Sequence, residues 1–182
     1  QAAGKRVSRS VLDTDGALKR EIEEDADSIN IIHLHGYWRG SDTLHTPAQL
    51  KSERPKLKAS LQRLLRNHLL VVVAYGGWDD VFTKAMTEIL HDDQAEIDVL
   101  WCFRETNTSI IKDNYTQLFE SVSPAIGRGR FRCYYGIDCH LIFQELLKEI
   151  NFSASVTANT SNPEATSDVE KKRAAISVKN PD

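Results

Sequence analysis

The feature that most constrains the fold is a run of six consecutive apolar residues, 69–74, which is followed by the glycine pair Gly76 and Gly77. The run is too short to form a helix of its own, and a strand that is apolar on both faces is typical of a buried parallel sheet. Residues 29–34 and 97–103 form two further apolar runs that are typical of strands. We therefore expect a parallel sheet that contains these three segments.

Segments with helical spacing of apolar residues separate the predicted strands. Helices are expected over residues 57–65, 81–90 and 110–120, and residues 131–135 predict a further short strand. A final helix is expected over residues 138–150, with an apolar face turned inward that consists of Leu141, Ile142, Leu146, Leu147 and Ile150. This alternation predicts an α/β, Rossmann-like three-layer fold with a mostly parallel sheet and right-handed crossovers.

Three segments of different composition divide the chain. Residues 1–28 form a polar lead-in with one possible short helix at residues 18–24, and they are interpreted as part of a truncated domain. Residues 29–150 contain the predicted strands and helices. Residues 151–182 are rich in Ser, Thr, Asn, Ala and charge, a composition typical of a flexible tail or linker.

Charge and composition exclude several classes of partner. The chain has 182 residues, 41% of them hydrophobic, and its net charge of −3 provides no positive surface for nucleic acid. No apolar segment is long enough to span a bilayer, so no membrane interaction is expected. The three cysteines, Cys102, Cys133 and Cys139, form neither a disulfide framework nor a metal-ligand pattern. Their number and placement predict a reducing, cytoplasmic setting and no bound metal.

His35 and Gly36 come directly after the first predicted strand and form the first candidate site. Open α/β sheets bind ligands outside the carboxyl ends of their strands, and an imidazole there can act as a general base. The alternative is a hydrogen-bonded structural histidine in a loop. His33, one residue from the strand end, should face opposite to its neighbour by the two-residue period of a strand, and we expect it to be structural.

Two later strand ends carry the remaining candidates. Tyr75, Gly76 and Asp79 lie where a strand ends and a helix begins, and backbone amides in such a turn can approach a phosphate or ribose. The segment lacks the glycine fingerprint of dinucleotide-binding folds, and the alternative is that Asp79 or Asp80 only caps the helix that follows.

Gly136, Ile137 and Asp138 occupy the corresponding position after the last predicted strand. The backbone at Gly136 and Ile137 could border an adenine pocket. Asp138 has a simpler alternative role, because an aspartate at this position commonly caps the helix that follows.

In their order and spacing, these three segments resemble the carboxyl half of a sirtuin-like NAD-binding domain, and they are most similar to the zinc-free branch found in bacterial antiphage-defence proteins. Residues 32–36 resemble the strand ending "LHG", which implies that His35 is the catalytic base. Residues 74–79 resemble the strand end "GYGxxD" of the cofactor pocket, with alanine in place of the usual first glycine. Residues 135–138 resemble the motif that precedes the last helix of the domain.

The resemblance implies hydrolysis of NAD to ADP-ribose and nicotinamide without a metal, in prokaryotic antiviral defence and under the control of a partner domain or a homo-oligomer. The four-cysteine zinc module of the deacylases has no counterpart here, which disfavours an NAD-dependent protein deacylase. The glycine turn and the Asn-bearing strand end of the family's amino half are also missing. We therefore expect the isolated chain to be inactive. The alternative is a non-catalytic module that binds a nucleotide, such as NAD or ADP-ribose, or mediates oligomerisation.

Overall fold

The computed structural model describes residues 7–12, 15–16, 29–37, 39, 43–44 and 46–159, with side chains described as far as residue 151. The helix predicted at residues 18–24 and most of the predicted tail lie outside this part of the chain. Contacts within the chain divide it into two compact units, residues 1–137 and residues 138–182. The two units are described separately below.

The strands of the first unit form two parallel sheets. In the smaller sheet, β1 (Val7–Val11) pairs with β2 (Ile29–His33). In the larger sheet, β4 (Asp98–Cys102) lies between β3 (Leu69–Val73) and β5 (Phe131–Tyr134). The predicted α/β, Rossmann-like architecture with parallel strands is confirmed.

Six helices are found in the described residues. They are α1 (Pro47–Lys51), α2 (Pro55–Leu65), α3 (Val81–His91), α4 (Thr108–Asn114), α5 (Thr116–Gly127) and, in the second unit, α6 (Ile142–Asn159). The single helix predicted at 110–120 is in fact two helices. They are separated at Tyr115, whose φ of −120° and ψ of 28° leave the helical region while its ring packs on Phe103 at 5.0 Å.

Strand β1 was not predicted, because its sequence VSRSV alternates apolar and polar residues over only five positions. The strand is instead stabilised by its parallel pairing with β2, which the local sequence does not indicate. Val7 lies opposite Ile29 and Val11 lies opposite His33, and the Ser8 hydroxyl donates a hydrogen bond to the Asn30 side-chain oxygen. A strand is therefore present in the segment interpreted as a polar lead-in.

A larger and a smaller hydrophobic core organise the first unit. In the larger core, α3, α4 and α5 cover the face of β3–β5 that carries Val72, Trp101 and Phe131. In the smaller core, Leu57 and Leu61 of α2 pack with residues of α3, with Ile32 of β2 and with Leu34, which follows that strand. The smaller core thereby holds the carboxyl end of β2 near the point where β3 ends and α3 begins.

Apolar side chains of both sheets remain exposed. Leu69 and Val71 of β3 are 63% and 47% exposed, and Ile29 and Ile31 of β2 are also exposed. The prediction that residues 69–74 are buried on both faces is therefore wrong for Leu69 and Val71. A parallel sheet is normally covered on both faces, and here the helices of the larger core cover one of them.

The second unit differs from its prediction in two ways. Helix α6 continues past Ile150 to Asn159, so the predicted tail begins within a helix. The prediction that an apolar face of this helix turns inward is also wrong. Ile142 is half-buried, and the other predicted inward residues are exposed, namely Leu141, Leu146, Leu147 and Ile150. Helical spacing specifies which residues share a face, but it does not specify what covers that face.

Candidate functional site

The centre of the candidate site is a pair formed by His35 and Asp80. His35 lies in the turn that follows β2, and Asp80 is the N-cap residue of α3. Nε2 of His35 lies 2.8 Å from Oδ2 of Asp80. The Asp80 side chain is fully buried, whereas the His35 side chain is 26% exposed. The imidazole is therefore held from the inside by a carboxylate and remains accessible from the outside.

A third side chain completes this cluster. The Tyr75 hydroxyl donates a 2.6 Å hydrogen bond to Oδ2 of Asp80, which is the same oxygen that contacts His35. The other oxygen, Oδ1, accepts a 3.0 Å hydrogen bond from the backbone N–H of Thr83 and so caps α3. Both carboxylate oxygens are thus engaged, and we call His35, Asp80 and Tyr75 the strand-end cluster.

The electrostatics of the cluster favour an ionised Asp80. Burial by itself would raise the pKa of Asp80, but the hydrogen bonds from His35, the Thr83 N–H and Tyr75 together lower that pKa below its ordinary value. Burial and the hydrogen bond to Asp80 raise the pKa of the Tyr75 hydroxyl far above its ordinary value. Asp80 is therefore an acceptor and Tyr75 a protonated donor.

Arg54 fixes the backbone that leads to His35. This residue is only 5% exposed, and its guanidinium donates hydrogen bonds to the carbonyl oxygens of Leu34 (2.7 Å) and Leu12 (3.0 Å). The N–H of Gly36, which has a φ of 81°, also donates to the Leu12 carbonyl. These bonds join the carboxyl ends of β1 and β2, so the turn that carries His35 is anchored on both sides.

The turn between β3 and α3 has an unusual backbone. Ala74 has a φ of 54° and Gly77 a φ of 62°, both in the left-handed region that favours glycine. Ala74 is the position at which the resembled motif has glycine. A Cβ atom added to Gly76 would lie 2.6 Å from Nε1 of Trp78, so the absence of a side chain at Gly76 allows the indole to approach closely.

Trp78 contributes an exposed aromatic surface beside the cluster. Its indole is half-exposed, and its ring centroid lies 6.3 Å from that of His35 and 5.6 Å from that of Tyr75. Trp78 also lines a groove of about 580 Å³ between α3 and α5, together with Gly77 and Asp79. His35 does not line this groove, so Trp78 stands between the groove and the strand-end cluster.

Asp79, predicted to contact a cofactor, has a different environment from Asp80. Its side chain is half-exposed and lies 3.7 Å from Nζ of Lys51 and 3.8 Å from Nζ of Lys84. Of the two consecutive aspartates, the structure therefore brings Asp80 and not Asp79 to His35. The local sequence predicts for Asp80 only the role of a helix cap, because nothing local indicates that the end of β2 lies beside it.

The third predicted segment follows β5, and its backbone is hydrogen-bonded to the residues that follow the neighbouring strand β4. The N–H of Gly136 donates to the carbonyl oxygen of Glu105, and that of Ile137 donates to the carbonyl oxygen of Phe103. Gly136 has a φ of 70°, and a Cβ atom there would lie 3.1 Å from Cγ2 of Thr106. The described residues show no hydrogen bond between this segment and the strand-end cluster.

Asp138 belongs to the second unit, where its carboxylate accepts a 2.8 Å hydrogen bond from the backbone N–H of His140. Ligand atoms of the consecutive residues Asp138, Cys139 and His140 lie within 4.8 Å of one another. The local turn explains this proximity, since the hydrogen bond folds the carboxylate back toward His140. The spacing of these three residues in the sequence does not match a metal-ligand pattern.

Neither a protein-family model nor a curated protein or solved structure shows a significant match to this chain. In the part of the chain that the structure describes, no helix is both long enough and apolar enough to cross a membrane. The site is thus defined by its own geometry: a parallel α/β domain that places a histidine–carboxylate pair at its strand ends.

Proposed function

We propose that this chain forms the histidine-bearing part of a sirtuin-like domain that hydrolyses NAD to ADP-ribose and nicotinamide, with His35 as the general base. The observation that carries the proposal is the 2.8 Å contact between His35 and the buried carboxylate of Asp80. The pair lies at the carboxyl ends of parallel strands, where open α/β sheets bind their ligands. A partly exposed imidazole backed by a buried carboxylate is suited to accept a proton from a bound molecule.

The reaction needs only water as a second reactant. The glycosidic bond between the ribose C1′ and the nicotinamide nitrogen breaks through an oxocarbenium-like state, and nicotinamide leaves with the bonding electron pair. A water oxygen bonds to C1′, and its proton passes to His35. The Asp80 carboxylate stabilises the imidazolium that results, because a hydrogen bond between two charged groups is stronger than a neutral one.

The cofactor pocket in this proposal surrounds the exposed edge of His35. Gly36, Tyr75 and Gly76 belong to the turns nearest the imidazole, and the half-exposed indole of Trp78 offers a flat surface beside them. Gly136 and Ile137 would border the adenine. The role proposed for Asp79 is the least supported, because its carboxylate lies close to two lysines.

The proposed setting is infection-triggered depletion of NAD in a prokaryotic cytoplasm. The three free cysteines support a reducing compartment. The groups that hold the pyrophosphate and the nicotinamide ribose would come from an amino-terminal half, a partner domain or a second copy of the chain. The isolated chain would therefore be inactive, and activity would depend on assembly.

A second candidate function is a non-catalytic nucleotide-binding or oligomerisation module. The exposed apolar side chains of Leu69, Val71, Ile29 and Ile31 favour it, because a parallel sheet face of this composition is normally covered. An NAD-dependent deacylase is a third candidate, which the absence of cysteine between His35 and Cys102 disfavours.

Incubation of the intact protein with NAD tests the proposal, with nicotinamide and ADP-ribose quantified by chromatography. His35→Ala should abolish both products. His68→Ala is the matched control and should retain activity, since His68 is an exposed histidine directly before β3, at the opposite end of that strand from the turn that carries Tyr75. Hydrolysis by the His35→Ala protein would contradict the assignment.

Calorimetric titration of the same proteins with NAD and ADP-ribose separates the alternatives. Binding without hydrolysis by the unmodified protein would favour the non-catalytic module. An acyl-lysine peptide added with NAD addresses the third candidate, which requires formation of an acyl-ADP-ribose product.

A further inference from the structure

The strand-end cluster also specifies which nitrogen of His35 can accept a proton. Oδ1 of Asp80 accepts from a backbone N–H, which can only donate, and Oδ2 accepts from the Tyr75 hydroxyl. An ionised carboxylate is an acceptor at both oxygens. Nε2 of His35, 2.8 Å from Oδ2, must therefore carry a hydrogen to form its bond to Asp80.

A neutral imidazole has a single N–H group, so the hydrogen on Nε2 leaves the lone pair on Nδ1. Within the described residues, no hydrogen bond reaches Nδ1, and the His35 side chain is 26% exposed. In the serine-protease arrangement the opposite nitrogen faces the carboxylate. In this protein Nε2 faces the carboxylate of Asp80, and Nδ1 is the nitrogen that can accept a hydrogen bond from a ligand.

We propose that Nδ1 of His35 is the proton-accepting atom of the site and that Asp80 and Tyr75 are positioning residues that hold the imidazole in the Nε2–H tautomer. The catalytic part of this inference rests on the proposed NAD hydrolysis. The tautomer itself does not, because it follows from hydrogen bonds among the protein's own groups. When Nδ1 takes a proton from water or a ribose hydroxyl, the imidazolium keeps its Nε2–H bond to Asp80.

Tyr75 acts on His35 through Asp80. Its hydroxyl and the Thr83 N–H together hold the two oxygens of the Asp80 carboxylate in one orientation. The Tyr75 ring packs on Phe82 at 5.4 Å and on Trp101 at 5.9 Å. Tyr75→Phe should therefore retain the packing and remove only the hydrogen bond, which makes it the most selective test of the positioning role.

Nitrogen NMR of the intact protein labelled in its histidines tests the tautomer, at a pH where His35 is neutral. The His35 signals are assigned by their loss in His35→Gln. We expect an excess of the Nε2–H form of roughly tenfold or more, because a hydrogen bond to a charged acceptor is among the stronger ones. A predominant Nδ1–H form would overturn the inference.

Two variants test the positioning residues, with Asp113→Asn as the control, since Asp113 lies exposed on α4. Asp80→Asn should reduce the excess to a mixture of tautomers, because an amide can donate as well as accept. Tyr75→Phe should keep the Nε2–H form and lower kcat about tenfold with little change in KM. An unchanged tautomer excess in folded Asp80→Asn, or unchanged kcat in Tyr75→Phe, would overturn the positioning roles.

The two proposals fail in different ways. An Nε2–H form in a protein that leaves NAD intact would overturn the proposed function and the catalytic role of Nδ1, while the positioning of His35 would stand. An Nδ1–H form in a protein that hydrolyses NAD would overturn this inference and keep the proposed function. Because Tyr75→Phe preserves the packed ring, the test does not depend on whether Asp80→Asn folds.

Discussion

The ring of His35 lies 2.8 Å from the carboxylate of Asp80, although 45 positions separate the two residues in the chain. The contact joins the turn after β2, in the smaller sheet, to the N-cap of α3, the helix that follows β3 of the larger sheet. It therefore depends on the packing of α2 and α3 against Ile32 and Leu34, which brings the two strand ends together. A change in the packing of the smaller core should therefore change the distance between His35 and Asp80.

Ala74→Gly should stabilise the protein by about 0.5–1 kcal/mol. Ala74 has a φ of 54°, which costs an L-residue about 1–2 kcal/mol, and the greater entropy of glycine in the unfolded chain offsets part of that gain. Urea unfolding at pH 7 measures the change. Ala59→Gly, at an exposed position within α2, should instead destabilise by about 1 kcal/mol. Destabilisation by both substitutions would contradict the left-handed conformation at Ala74.

Gly77→Ala should destabilise the protein by about 2–3 kcal/mol. The added methyl group would lie 3.3 Å from Cδ1 of Tyr115 and 3.4 Å from Cζ2 of Trp101, in addition to its conformational cost at a φ of 62°. Gly129→Ala is the matched control, because its φ is 74° but no atom lies within 4 Å of the added methyl. The difference between the two unfolding free energies isolates the packing cost, and equal values would refute a tight fit at Gly77.

The contribution of Asp80 to stability should depend on pH. The pKa of Asp80 is lowered in the folded protein, so the folded state favours the ionised carboxylate more strongly than the unfolded state does. This stabilisation is fully present above the unfolded pKa of about 4 and is lost as the pH falls through the folded value. Asp80→Asn should therefore destabilise the protein at pH 7, and the difference from the unmodified protein should shrink below about pH 4.

Urea unfolding between pH 7 and pH 3 measures this difference. Asp113→Asn provides the baseline for an exposed aspartate. A difference between the Asp80→Asn and unmodified proteins that stays constant over the whole range would argue against an ionised Asp80 in the folded state.

Arg54→Lys should destabilise the protein by about 1–3 kcal/mol. The guanidinium of Arg54 bonds two carbonyl oxygens, those of Leu34 and Leu12, whereas a lysine ammonium is a compact point charge without the planar fork that spans both oxygens. Hydrogen exchange should also become faster at the amide of Gly36, whose bond to the Leu12 carbonyl belongs to the same junction. Arg63→Lys, at an exposed position of α2, should leave this exchange unchanged.

Much of the larger sheet could be predicted from local sequence. The runs that became β3 and β4 are apolar enough to be recognised as strands, and the stripe from Val81 to Leu90 identified α3. Strand β1 could not be recognised, because its alternating pattern acquires meaning only through pairing with β2. The separation of α4 from α5 at Tyr115 depends on the packing of its ring against Phe103, which is likewise not local.

The sequence by itself determined the parallel α/β class and drew attention to His35, because periodicity and strand-end position are properties of short segments. Only the tertiary structure decided that Asp80, and not Asp79, faces His35, and that Tyr75 shares the same carboxylate oxygen. The physical reason is that these contacts join turns of two separate sheets. Their distance is set by how the smaller core packs, which no local pattern encodes.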